Sequence, residues 1–131
     1  MLRYIAVCLF GLALLTGSCK KENNQPPVPE GTYTGTFQRI GGPVSNVTLT
    51  FSGNSWSGQS DTPQYPAICQ GSYSSTIEGD IVFEQDCFWT ANFDWSLILN
   101  GEFDFTLNGR DIELVKTYAS GMRDVYRLTR Q

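Results

Sequence analysis

Glu102-Phe103-Asp104-Phe105-Thr106-Leu107-Asn108-Gly109-Arg110-Asp111-Ile112-Glu113-Leu114-Val115-Lys116 decides the fold of this 131-residue chain. Apolar and polar side chains alternate on both sides of an Asn-Gly pair. Alternation with period two places one set of side chains on each face of a strand. An Asn-Gly pair between two such runs signals a tight hairpin. A two-residue turn at Asn108-Gly109 sets Phe105 against Ile112 and Phe103 against Leu114, with Glu102, Asp104, Asp111 and Glu113 on the other face. A three-residue loop would set Asp111 against Phe105, which no half-buried sheet tolerates.

The same test extends outward in both directions. A three-residue hairpin loop needs a left-handed residue at its end, usually glycine. Ala119-Ser120-Gly121 fits, and pairs Leu114 with Tyr126 and Ile112 with Leu128 inside. It pairs Glu113 with Arg127 outside, and sets Lys116 and Asp124 opposite each other on the inward face. Upstream, Leu99-Asn100-Gly101 pairs Leu97 with Phe103, Trp95 with Phe105 and Phe93 with Leu107. Ile77-Glu78-Gly79 sets Thr76 against Asp80, Tyr73 against Phe83 and Cys69 against Cys87. Gly53-Asn54 sets Phe51 against Trp56. Nine candidate strands result: 32–40, 45–52, 55–60, 68–76, 80–87, 92–98, 102–107, 110–118 and 122–130. The fold class is all-β, an antiparallel up-and-down meander closed into a barrel of 8–9 strands, with a two-sheet β-sandwich as second choice. A meander of this length must close or stack to protect its edges.

The N-terminus has a different character. Arg3 precedes an apolar run from Tyr4 to Leu15, then come Thr16, Gly17, Ser18 and Cys19. The run is too short to span a bilayer at roughly 20 residues per crossing. It reads as a signal peptide over 1–18. Leu15-Thr16-Gly17-Ser18-Cys19 resembles the lipobox of bacterial lipoproteins, of the Bacteroidota type in its Thr-Gly-Ser-Cys-Lys-Lys-Glu flavour. The resemblance implies cleavage before Cys19 and acylation of that cysteine with palmitate-type chains, hence a cell-envelope protein anchored most naturally in the outer membrane. The alternative is an ordinary signal peptide that leaves Cys19 as a free thiol. Residues 19–30, rich in proline and polar side chains, read as a tether, and residues 31–131 as the folded domain.

Cysteine usage agrees. Of four cysteines, Cys8 leaves with the signal and Cys19 takes the lipid. Cys69 and Cys87 remain as a cross-strand disulfide suited to an oxidising compartment.

The opening Gly31-Thr32-Tyr33-Thr34-Gly35-Thr36-Phe37, the run of short hairpins and the closing Val125-Tyr126-Arg127-Leu128-Thr129-Arg130 resemble the lipocalin-like, calycin-type barrels of small lipoproteins. That resemblance implies an eight-stranded barrel that binds an apolar small molecule.

Composition excludes several chemistries. The chain has no histidine. That removes the commonest general base, the Ser-His and Cys-His nucleophile pairs, and most catalytic zinc sites. Without Arg3 the mature chain carries 8 Lys+Arg against 13 Asp+Glu, net −5, a poor basis for nucleic-acid binding. No catalytic, metal or cofactor site is expected. The outer carboxylates Glu102, Asp104, Asp111 and Glu113 read as a solvated face.

The candidate ligand-binding residues are Trp56, Tyr73, Phe88, Trp89, Trp95, Lys116, Asp124 and Tyr126. The aromatic ones either line an apolar pocket or fill a barrel only just wide enough for its own side chains. Lys116 and Asp124 either fix a ligand's polar head or cap the core at the rim. Phe88 and Trp89 either gate or anchor a partner, or plug the core. Gly35, Gly58 and Gly71 point inward and make room for a ligand, mark corners or seat a ring. Two functions follow. The first is a monomeric, non-enzymatic lipoprotein that binds a small apolar or amphipathic molecule. The second is a structural or interaction module with a filled core that contacts an envelope protein or glycan.

Overall fold

The computed structural model describes residues 28–76, 78–90 and 92–131. The expected signal peptide, Cys19 and the part of the expected tether before Val28 lie outside the described residues. Eight strands form: β1 Gly31–Arg39, β2 Val44–Ser52, β3 Ser55–Ser60, β4 Gln70–Ser75, β5 Asp80–Gln85, β6 Gly101–Asn108, β7 Asp111–Thr117 and β8 Arg123–Arg130. Each pairs antiparallel with the next, and β8 returns to β1 to close a barrel. The closed meander leaves no free edge, and it is compatible with the lipocalin-like barrel that the chain's opening and closing segments resemble.

Hairpin chemistry accounts for most of the register. In β7–β8, Leu114 faces Tyr126, Glu113 faces Arg127 and Lys116 faces Asp124, as the Gly121 turn requires. Phe51 faces Trp56, and Tyr73 faces Phe83. The Cys69–Cys87 disulfide forms across the start of β4 and the end of β5, with Cα atoms 6.4 Å apart.

Two expectations are corrected. In β6–β7, Phe105 faces Leu114 and Leu107 faces Ile112, because the loop residues are Gly109-Arg110 rather than Asn108-Gly109. Gly109, at φ +62°, takes the first loop position, the glycine site of a type II′ turn, and so leaves Asn108 in the strand. The slip is two residues, an even number, so every side chain keeps its face. The second correction concerns 92–98, which is not a strand. Asp94 accepts the Ser96 N–H and caps a short 3-10 turn over Trp95–Leu97. β6 pairs directly with β5, Ile81 facing Phe103. The expected partners Leu97–Phe103, Trp95–Phe105 and Phe93–Leu107 are therefore not opposed. With β5 occupying that edge of β6, nothing remains for a ninth strand to join.

The folded unit also begins earlier than the sequence boundary at Gly31. Val28 is buried in the core. The Tyr33 hydroxyl donates to the Pro29 carbonyl at 2.7 Å, and the Gly53 N–H donates to Glu30 Oε1 at 2.6 Å.

The barrel has two unlike ends. The turn end carries the tight loops after β2, β4 and β6 and the segment at Val28. The loop end carries the 40–43 turn, the 118–122 turn and two long connections, 61–69 and 86–100. Those long connections join each other by a parallel bridge, Ala67 to Ile98. Three inward glycines mark close strand approaches. A Cβ at Gly35 would meet the Arg127 carbonyl, one at Gly58 the Thr48 carbonyl, and one at Gly71 the Glu84 carbonyl. They are corners of the barrel, not space kept for a ligand.

Candidate functional site

The lumen is filled. Seven rings run in contact through it, from Tyr73 through Phe51, Phe83, Phe103, Tyr126 and Phe37 to Tyr65, with centroids 4.8 to 6.2 Å apart. The Phe51–Phe83 contact joins β2 to β5, and Phe103–Tyr126 joins β6 to β8, so the rings meet across the interior rather than only along the wall. Phe51, Phe83, Leu49, Ile81, Leu114 and Tyr126 are 0–1% accessible to solvent. A void among them able to hold even one water would leave its lining accessible. Such ring contacts add about 0.5–1.5 kcal/mol each beyond the area they bury.

The loop end is closed by a polar network whose hub is Arg39, at the end of β1. Its Nε and Nη2 donate to the two oxygens of Asp124 on β8 at 2.7 and 2.8 Å. Its Nη1 donates to Asp94 at 2.9 Å, and its Nη2 also reaches the Ser96 hydroxyl at 3.0 Å. The Tyr118 hydroxyl donates to Asp124 at 2.7 Å. Asp124 is only 3% exposed, so its charge is tolerated because this bidentate fork and the phenol satisfy it. The hydrogen bond to Asp124 raises the Arg39 pKa and holds the guanidinium charged. Burial first, and then the Asp124 hydrogen bond, push the Tyr118 phenol up to about 12. Hydrogen bonds from Ser96 hold the Asp94 carboxyl below its ordinary range.

Lys116 faces Asp124 in register but does not pair with it. Its Nζ donates to the Asn100 carbonyl at 3.0 Å and lies over the Phe103 and Tyr118 rings, 5.4 and 5.5 Å from their centroids. Desolvation lowers its pKa. Arg39 is the residue that sequence reasoning misses. Its partners come from β8, from the turn before it and from the 86–100 connection, and no local pattern joins those three.

The candidate ligand-binding residues do not converge on one pocket. Trp56, Tyr73 and Tyr126 belong to the core, where the Trp56 indole N–H donates to the Ser72 carbonyl at 3.0 Å. Lys116 and Asp124 belong to the network that closes the loop end. Phe88, Trp89 and Trp95 lie on the 86–100 connection. Phe88 is 98% exposed, so it does not plug the core. Trp89 is half-buried, its indole N–H donating to Gln85 Oε1 at 3.1 Å. Its ring packs on Phe93, which packs on Trp95.

The outer carboxylates are solvated, as expected. Glu113 pairs with Arg127 at 3.2 Å, and Asp111 accepts from the Thr129 hydroxyl at 2.7 Å. The depression of about 430 Å³ beside them is open on the outer wall. Among the described residues no group of three or more Cys, Asp or Glu side chains is placed to hold a metal ion.

Comparison of the chain with protein-family models, with curated proteins and with solved structures finds no match.

Proposed function

We propose that this protein is a non-enzymatic docking module of the cell envelope, held to a membrane through lipid on Cys19 and recognising its partner with the loop end of the barrel. One observation carries the reading. Among the described residues the large apolar side chains left exposed are Ile40, Val44, Phe88 and Trp95, and all four lie at the loop end. The described residues begin at the opposite, turn end, where Val28 is buried. A tether from Cys19 to Val28 therefore enters the barrel on the face away from this apolar rim. Large apolar side chains exposed at one end of the barrel, and not over its wall, favour an interaction site at that end. The filled lumen favours this reading over an apolar ligand held inside.

The test has two parts. Replacement Cys19→Ala in the host should move the protein from the membrane to the soluble fraction and abolish incorporation of labelled palmitate. Native mass spectrometry of the exported protein should give the bare polypeptide mass. A small molecule released on denaturation would overturn the filled-core reading, and unchanged membrane partition of the alanine variant would overturn the anchor.

A further inference from the structure

The charges of this chain are segregated around the barrel. No Lys or Arg occurs between Arg39 and Arg110, while that interval holds eight acids: Asp61, Glu78, Asp80, Glu84, Asp86, Asp94, Glu102 and Asp104. Within it β2, β3 and β4 carry no charged residue; the strand acids lie on β5, as Asp80 and Glu84, and on β6, as Glu102 and Asp104, and the other four lie in the connections. The described cations, Arg39, Arg110, Lys116, Arg123, Arg127 and Arg130, all lie on the β7–β8–β1 side. Among the described residues Asp94 alone of the eight acids has an ion-pair partner, Arg39. The carboxylates crowd one another: Asp80 faces Asp104 across β5–β6. Desolvation, a hydrogen bond with Asp104 and the charges of Glu102, Asp104 and Glu78 raise the pKa of Asp80. A wall of like charge lowers stability through self-repulsion, and nothing in the fold requires it, since outward positions on β5 and β6 tolerate either sign.

Phe88 stands at the edge of this wall. It follows Asp86 and Cys87 at the end of β5, and its base is fixed on both sides. The Cys69–Cys87 bond holds one side. Gln85 Oε1 accepts the Cys87 N–H at 3.0 Å and the Trp89 indole N–H at 3.1 Å. Gln85 is itself tied to Asn100 Oδ1 through its own N–H at 3.1 Å. An aromatic ring on a braced backbone, with its phenyl in water, is ordered before binding and loses little entropy on docking.

We propose that the β5–β6 side of the barrel, with Phe88 at its loop-end edge, docks a partner protein whose surface is cationic around an apolar pocket. This rests on the docking reading above and names its partner. Charge complementarity selects the class. An anionic lipid surface and a nucleic acid are both repelled by this wall, and a neutral glycan gains nothing from it. A basic protein surface is steered toward it and held in register.

The test uses the full chain exported by its host, with Phe88 replaced by the photo-crosslinker p-benzoylphenylalanine. Illumination in the envelope should give one discrete protein adduct. In a background carrying Asp80→Asn, Glu84→Gln, Glu102→Gln and Asp104→Asn, its yield should fall roughly tenfold or more. Asp111→Asn with Glu113→Gln, on the other side of the barrel, should leave it unchanged. Protease resistance of each variant reports that the barrel is intact, and removing repulsion does not endanger it. An adduct that survives neutralisation of the wall overturns the charge inference and leaves the docking reading standing. So does an adduct with lipid or glycan. No adduct from Phe88, nor from the same probe at Ile40 or Val44, overturns both.

Discussion

The two ends of this barrel are joined by the same strands and built on different principles. At the turn end each loop is two or three residues long and answers to its own glycine: Gly53, Gly79 and Gly109 all take positive φ. At the loop end two long connections meet each other, and one arginine binds groups from three separate segments. The first kind of end is a set of independent local solutions. The second is a single network, satisfied only when all of its members are present. Removing one part of the first should cost little and add with other losses, whereas removing one part of the second should cost much and not add.

The sharpest break falls on the hub. Asp124→Ala leaves the Arg39 guanidinium, whose side chain is 13% exposed, without its bidentate partner. The expected loss is about 3–5 kcal/mol in chemical denaturation. A loss under about 1 kcal/mol would erase the contrast between the ends. Opening the disulfide through Cys69→Ser with Cys87→Ser should cost about 3 kcal/mol in the chain-entropy model for a separation of 18 residues. It should also loosen Trp89 and Phe88, seen as faster proteolysis within 86–95. At the other end, Val28→Ala removes two buried methyl groups and should cost about 1.5 kcal/mol. Combined with Asp124→Ala the two losses should add, while Asp94→Ala combined with Asp124→Ala should fall short of the sum.

The smallest effect is a titration. The Tyr118 phenol has its folded pKa raised to about 12 from an ordinary value of 10.0. Its contribution to stability is therefore fully present below pH 10 and is lost as pH rises through about 12. Phenolate absorbance should show a tyrosine that titrates near pH 12, while burial holds the Tyr126 phenol well above its ordinary range as well. In Asp124→Asn the tyrosine that titrates near pH 12 should ionise earlier. An unchanged titration in the variant would detach Tyr118 from the network.

The contrast between the ends also explains what the sequence could and could not say. Turns with a glycine at a fixed offset, flanked by alternating side chains, were legible: the β7–β8 register is right at every pair, including Lys116 opposite Asp124. The β6–β7 turn is displaced by one residue, and its pairing by two, because Asn108-Gly109 and Gly109-Arg110 keep the same faces and alternation cannot separate them. Segment 92–98 alternates as well as any strand does, with Phe93, Trp95 and Leu97 against Asp94 and Ser96. Its structure is set by the bridge from Ile98 to Ala67, a contact 31 positions away in the chain, and by Arg39 holding Asp94. Neither partner is visible within the segment. Arg39 itself ends a strand in an ordinary polar position, and only the closed barrel brings Asp124, Tyr118 and Asp94 around it. The charge segregation, by contrast, was countable from the sequence.

Burial of Val28 at the turn end has a mechanical consequence. If the tether is held at a membrane and a partner is held at Phe88, tension enters the barrel at one end and leaves at the other. It then runs parallel to β1, which is laddered to β2 and β8 along its length. A strand drawn lengthwise between two neighbours must break its hydrogen bonds together, in shear, whereas a strand pulled sideways from an edge gives them up one at a time. Attachment at those two points would load the barrel in the direction that it resists best.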